Sequence, residues 1–266
     1  MSFRWPRRWE RTKVPASPKD GTNQSLEAII NNLSPEAYYQ SPGGRRTLIA
    51  LAMVAGIARG SRVLDVQCGI GSASVDLAEA YDAVVTAIDD YAPYLAFGKQ
   101  QALNRGVAKK ATFQAIAGKD AADTIPSESF DVVLGLGGGL SDTLPGGLAG
   151  GLNAASNWLG PGGVLILGDL VTPGPTSDLM QIVFGNSLMS EMHYLKAIGE
   201  AGFDCLFAVR SSSADWDQMA QTMMLLQERA LDLGPDDERQ RQRLTTAARN
   251  HPEIAYLNVA ARKSRR

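Results

Sequence analysis

Apolar positions along this chain fall into two rhythms. Short apolar runs read as strands: Val63–Val66, Ala83–Ile88, Ala111–Ala117, the run through Val132 and Val133, Val164–Leu167 and Phe203–Arg210. Between them, apolar residues recur every third or fourth position. That spacing predicts helices over Thr47–Arg59, Ser72–Tyr81, Pro93–Asn104, Leu152–Leu159 and 178–201, the last broken near Gly185 and Asn186. A shorter helix is predicted from Ser25. Gly60, Gly106 and Gly160-Pro161-Gly162-Gly163 punctuate the alternation as turns. Residues 214–250 are mostly helical in pattern and charged toward the end, and Ala255–Arg262 alternates as a last strand. The whole pattern suits an α/β domain.

One junction carries candidate chemistry. The run Val63–Val66 ends in Cys68-Gly69-Ile70-Gly71, and a helical pattern begins at Ser72. A glycine turn between strand and helix lets a ligand approach bare backbone and meet unpaired N–H groups at the helix N-terminus. Asp65 sits inside the strand. Asp89 and Asp90 end the next apolar run, at the distance expected of a carboxylate that grips ribose hydroxyls. The third glycine of a dinucleotide-binding G-x-G-x-x-G is Ser74 here, which disfavours a nicotinamide enzyme.

The stretches V-L-D-V-Q-C-G-I-G and V-T-A-I-D-D resemble the S-adenosylmethionine (SAM) site of class I methyltransferases. Ser129-Phe130-Asp131-Val132-Val133, Leu159-Gly160-Pro161-Gly162-Gly163 and Ala201-Gly202-Phe203-Asp204 resemble further landmarks of that family. The similarity is to its small-molecule members, the ubiquinone/menaquinone-biosynthesis and glycine/sarcosine group, and runs from about Tyr38 to Lys263. It implies a Rossmann-like, doubly wound, mainly parallel seven-stranded sheet whose last strand is antiparallel, with helical cap elements toward both termini. It implies SAM as cofactor, contacted by Asp65, Cys68, Gly69, Gly71, Asp89, Asp90, Lys119, Asp120 and Leu136. The family usually has Gly where this chain has Gln67, so that side chain must point away from the cofactor or narrow its site. On the acceptor side the resemblance singles out Tyr38 and Tyr39, as cavity-lining or as packing residues. It also singles out Asp169, as a site-facing or a loop carboxylate. No Asn-Pro-Pro-Tyr motif follows Val133, which argues against methylation of planar amides or nucleobases.

Methyl transfer from a sulfonium requires a nucleophile held close, collinear and away from water. A base is needed only where the acceptor must lose a proton. His193, near Met189 and Met192, is the candidate base; a packed or surface histidine is the alternative reading. No metal is required. Six of the eight methionines (Met180, Met189, Met192, Met219, Met223, Met224) lie between 180 and 224, which reads as an adaptable apolar pocket or as packing between helices.

Composition narrows the setting. The chain has 266 residues, 44% of them hydrophobic, enough for one domain over 25–266 with a helical insertion at 214–250. Residues 1–24 form a polar arm with a basic and aromatic cluster, open to contact with an anionic surface or to docking on the domain. A net charge of −2 makes no field that favours nucleic acid. Two distant cysteines, Cys68 and Cys205, suit a reducing, cytoplasmic compartment. No stretch approaches the roughly 20 apolar residues of a membrane span, and the N-terminus lacks a signal-peptide core. The insertion is expected either to cap the sheet or to build a homodimer contact. The expected activity is SAM-dependent methylation of a small, partly apolar acceptor. The alternative is a non-catalytic binder of SAM or S-adenosylhomocysteine.

Overall fold

The computed structural model describes residues 39–175, 178, 188–230 and 253–265, with side chains as far as 222 in the helix that ends at 230. Tyr38, His251, Met180, the 1–24 arm and the helix expected from Ser25 lie outside the described residues.

Helix α1 (Gly44–Ala55) leads into β1 (Arg62–Val66), α2 (Ser72–Tyr81), β2 (Val84–Asp89), α3 (Ala92–Asn104) and β3 (Ala111–Ala115). Then come α4 (Gly118–Thr124), β4 (Phe130–Gly135), α5 (Gly147–Trp158) and β5 (Leu159–Thr172). The last elements are β6 (Met189–Ser190), α6 (Glu191–Glu200), β7 (Phe203–Arg210), α7 (Ser213–Ala230) and β8 (Ala255–Lys263). The sheet order is β3-β2-β1-β4-β5-β8-β7, with the short β6 pairing the far end of β5. β8 runs antiparallel to both β5 and β7, while the other described pairs are parallel. The order reverses between β1 and β4, so a crevice opens there at the carboxyl ends of the strands, where ligands bind in such sheets.

The central strands are apolar throughout because both faces are covered. Leu64, Val66, Val133 and Leu165 pack on one side against Leu152 and Trp158 of α5 and Ile198 of α6. Val63, Val85, Leu134 and Ile166 pack on the other against Leu48 and Leu51 of α1 and Leu77 of α2. Successive strand residues thus serve opposite cores, as a period of two requires.

Several boundaries differ from the sequence expectation. Helix α1 stops at Ala55, not Arg59, because Gly56 turns left-handed and its N–H closes on the carbonyls of Ala52 and Met53. The strand expected over Ala111–Ala117 ends at Ala115, and Gly118, Lys119 and Asp120 open α4. β5 starts at Leu159 and absorbs the Gly160–Gly163 stretch as an irregularity, since Phe130 pairs with Leu159 and Val132 already with Val164. The helix expected over 178–201 is interrupted: Met189 and Ser190 pair with Val171 and Thr172, and the Ser190 side chain then caps α6. Of the 214–250 insertion, the described part is α7, whose Trp216 meets the Tyr256 ring edge-on at 6.3 Å.

One buried ion group ties α2 to its neighbours. Asp76, fully buried, accepts the Tyr39 hydroxyl at 2.5 Å and Nη2 of Arg105 at 2.6 Å, with Nε of Arg45 at 3.2 Å. Asp76→Ala should therefore destabilise the domain by about 3 kcal/mol or more, because buried charge partners are left uncompensated. Glu79→Ala, on the solvent side of the same group, should cost under about 1 kcal/mol. Urea unfolding of both variants checks the contrast.

Candidate functional site

The turn after β1 is built from backbone alone. Gln67, Gly69 and Gly71 all have positive φ, at 57°, 57° and 78°. At Gly71 a Cβ would stand 2.4 Å from the Phe113 ring and 3.2 Å from the Gly98 Cα, so α2 can begin here only on a glycine. At Gly69 a Cβ would collide with the Gln40 side chain, whose Oε1 accepts the Ile70 N–H at 2.9 Å. Ser74, at the position of the missing third glycine, donates its hydroxyl to Asp65 at 2.6 Å and pins α2 to β1.

Asp89 holds this turn from the end of β2. It is fully buried; Oδ2 accepts the Gly69 N–H at 3.0 Å and Oδ1 the Tyr91 N–H at 2.8 Å. Of the other sequence candidates, Asp65 and Asp89 are buried at the turn and Cys68 is half-buried within it. Asp90 is exposed beside Asp89, Lys119 and Asp120 lie exposed on the first turn of α4, and Leu136 is half-buried against the core. The bare turn and the carboxylate fit a nucleoside cofactor such as SAM. Residues Gly69, Gly71 and Asp89 would hold it.

A second group of residues gathers beyond β4. The loop from Leu136 to Asp142 crosses the carboxyl edge of the sheet. Gly139 lies against the Val66 carbonyl, where a Cβ would come within 2.6 Å. The Gly138 N–H bonds to the Gly168 carbonyl at 3.1 Å, and the Gly137 N–H donates to the Tyr256 hydroxyl at 2.7 Å. At the loop's end the Ser141 hydroxyl donates to Asp169, which also accepts the Leu170 N–H at 2.8 Å. Burial pushes the Asp169 carboxyl up to about 7, and the nearby Asp142 charge adds to the rise against the two hydrogen bonds. Tyr194 stands opposite, 2% exposed, and its hydroxyl has no hydrogen-bond partner among the described residues. Burial first, then the charge of Asp169, holds its pKa well above the usual value.

His193 is not part of this group. It is exposed on the first turn of α6, with Nδ1 at 3.1 Å from the Ser190 hydroxyl, and Met192 beside it is 72% exposed. The inward positions of α6 are Tyr194 and Ile198, one helical turn apart. Of the two readings of His193, candidate base or surface histidine, its exposure favours the second: one residue is about 100° of rotation, and it is Tyr194 that points inward. The spacing of Tyr194 and Ile198 was the available signal. Tyr39 is buried with its hydroxyl on Asp76. The methionines with described side chains do not form one pocket: Met189 packs on the main core, Met192 faces solvent and Met219 packs by Trp216.

Comparison with known families matches residues 63–163 to the model of a methyltransferase domain. The matched stretch runs from β1 into β5 and takes in the glycine turn, Asp89 and the loop after β4. Among solved structures, it is similar to a SAM-dependent methyltransferase from Geobacter sulfurreducens in complex with S-adenosyl-L-homocysteine, at 21% identity and a TM-score of 0.70, over 89% of this chain and 96% of that one. It is also similar to a geranyl diphosphate C-methyltransferase from Streptomyces coelicolor A3(2), at 15% identity and TM-score 0.61, over 81% and 74% of the chains. A third similar structure is the [4+2]-cyclase SpnF, at 21% identity and TM-score 0.66, over 82% and 80%. At such identities the likeness is one of fold. No curated protein matches.

Within the matched stretch, Gln67 occupies a left-handed conformation that costs a non-glycine residue roughly 1–2 kcal/mol. Gln67→Gly should raise stability by about 0.5–1 kcal/mol after the added freedom of the unfolded chain is deducted. A rise in the urea midpoint at unchanged m-value is the measurement.

Proposed function

We propose that this protein transfers the methyl group of SAM to a small, partly apolar acceptor held over the carboxyl ends of β4 and β5. The observation that carries the reading is the Asp89–Gly69 hydrogen bond, which sets a buried carboxylate against a bare glycine turn at the point where the sheet order reverses. When bound, SAM supplies a methyl already activated by its sulfonium charge. The chain's own work is then to bind, to orient and to keep water out. Asp89 grips the ribose, and the Gly69–Gly71 backbone receives the cofactor's polar tail. The loop 136–142 lies between that turn and β5, so an acceptor resting on it would be next to the cofactor.

Helix α7 supports the reading as a cap. Trp216 packs against Tyr256, and Tyr256 in turn holds the Gly137 N–H, so the cap is built onto the loop that borders the acceptor. Two free cysteines suit a cytoplasmic setting, and among the described residues no helix is long and apolar enough to cross a membrane.

Calorimetry should show binding of SAM and S-adenosylhomocysteine but not of NAD; preferential NAD binding would overturn the proposal. Asp89→Asn should weaken SAM about tenfold to a hundredfold, since a hydrogen bond to a charged group contributes roughly 1.5–3 kcal/mol. An unaltered Kd in a variant with normal melting would move the ribose contact elsewhere.

A further inference from the structure

We infer that the chain has a second ligand site at the amino edge of the sheet, and that it takes a small sugar phosphate whose phosphate lies between Arg262 and Arg265. The inference is independent of the methyltransferase reading.

The site is a cleft where the strands begin. A cavity of about 410 Å³ is lined by Arg62 at the start of β1, Asp131 near the start of β4, the Gly160–Gly163 stretch of β5, and Arg262 and Arg265 at the end of β8 and just past it. Small-molecule sites have volumes of roughly 300–1,000 Å³. The glycine turn lies at the other end of β1. From Arg62 to Val66 the strand spans about 13 Å, so the cleft is no part of that turn.

The start of β5 keeps the cleft open. Phe130 pairs with Leu159 and Val132 with Val164, so Asp131 alone stands against the four residues Gly160-Pro161-Gly162-Gly163. With three glycines, this bulge lines the cleft mostly with backbone and does not fill it. A Cβ at Gly162 would stand 3.9 Å from Nε of Arg265, which sets that guanidinium beside the bulge. Arg262 reaches the same place from β8, where it is the register partner of Val164.

The charges around the cleft select the ligand. Arg62 and Asp131 cancel: Nη2 of Arg62 donates to Oδ1 at 2.8 Å, and the Arg62 N–H donates to Oδ2 at 2.8 Å. Arg262 and Arg265 are exposed and take part in no ion pair among the described residues, and Asp204, opposite Arg262 on β7, forms none with it. Two unengaged guanidinium forks match a dianion. A phosphomonoester carries a charge of about −1.5 to −2 at neutral pH and offers three strong acceptor oxygens, whereas a single carboxylate engages one fork. Glu128 also lines the cleft and forms no ion pair among the described residues. It would repel a bare polyanion, but its oxygens can accept the hydroxyls of a sugar. Phosphate at the arginines and sugar toward Glu128 gives each of the three unpaired charges a partner.

The test is calorimetry on the full chain with ribose 5-phosphate, ribose and inorganic phosphate. Ribose 5-phosphate should bind more tightly than inorganic phosphate, and ribose should not bind. Arg262→Gln/Arg265→Gln should weaken ribose 5-phosphate about tenfold to a hundredfold, the scale of hydrogen bonds to a charged group. Lys99→Gln/Lys196→Gln removes two exposed positive charges from α3 and α6 and should leave the Kd within about twofold. Glu128→Ala should weaken ribose 5-phosphate and not inorganic phosphate. Saturating S-adenosylhomocysteine should not compete, and thermal melts of each variant check that it folds. No binding of ribose 5-phosphate at millimolar concentration, tighter binding of inorganic phosphate, or an equal loss in the two double variants overturns the inference. Displacement by S-adenosylhomocysteine also overturns it, because the sugar phosphate would then lie at the glycine turn.

Discussion

The constraint on which the site depends is the close approach of backbone to backbone after β1. Three residues with positive φ, Gln67, Gly69 and Gly71, fold the chain back under itself, and two of them leave no side chain above the turn. Asp89 fixes that arrangement by accepting the Gly69 N–H from the next strand. The same carboxylate also accepts the Tyr91 N–H, so one buried side chain joins the glycine turn to the start of α3. Gln67 departs from the glycine usual in the family, yet it adopts the same left-handed backbone and keeps its side chain buried. The departure strains the turn without opening it.

A second glycine-rich segment extends this edge beyond β4. Gly137, Gly138 and Gly139 let the loop lie flat across β1, β5 and β8, touching each through backbone or a single hydroxyl. Ser141, Asp142 and Asp169 then stand at its far end, facing Tyr194. Cofactor turn and acidic group are thus connected by a short stretch of packed backbone, and α7 braces it from outside through Trp216 and Tyr256.

Much of the glycine turn and its surroundings was legible before any coordinates. Helix α2 starts and ends at the expected residues, and Asp65 and Asp89 come to the turn as their spacing requires. The group beyond β4 was not. Asp169 was read as the end of a strand, whereas β5 runs on to Thr172, and its neighbours Ser141, Tyr194 and Tyr256 come from three separate elements. The Asp76 group was equally hidden, since Tyr39 and Arg105 lie 37 and 29 positions from it.

By itself the sequence determined the alternation of strand and helix, the two-sided burial of the central strands and the glycine turn with its carboxylates. These follow from local periodicity and from short spacings, in which each residue's role depends on near neighbours along the chain. Tertiary structure alone decided which side of α6 faces the sheet. A histidine, a tyrosine and two flanking methionines stand within six residues there, and periodicity allows more than one apolar stripe through them. The pairing of Met189 and Ser190 with β5 sets where α6 begins, the Ser190 cap sets its first turn, and burial of Tyr194 and Ile198 sets its rotation. Tyr194 is turned in and His193 out by contacts made with a strand far away in the chain, and no local pattern carries that information.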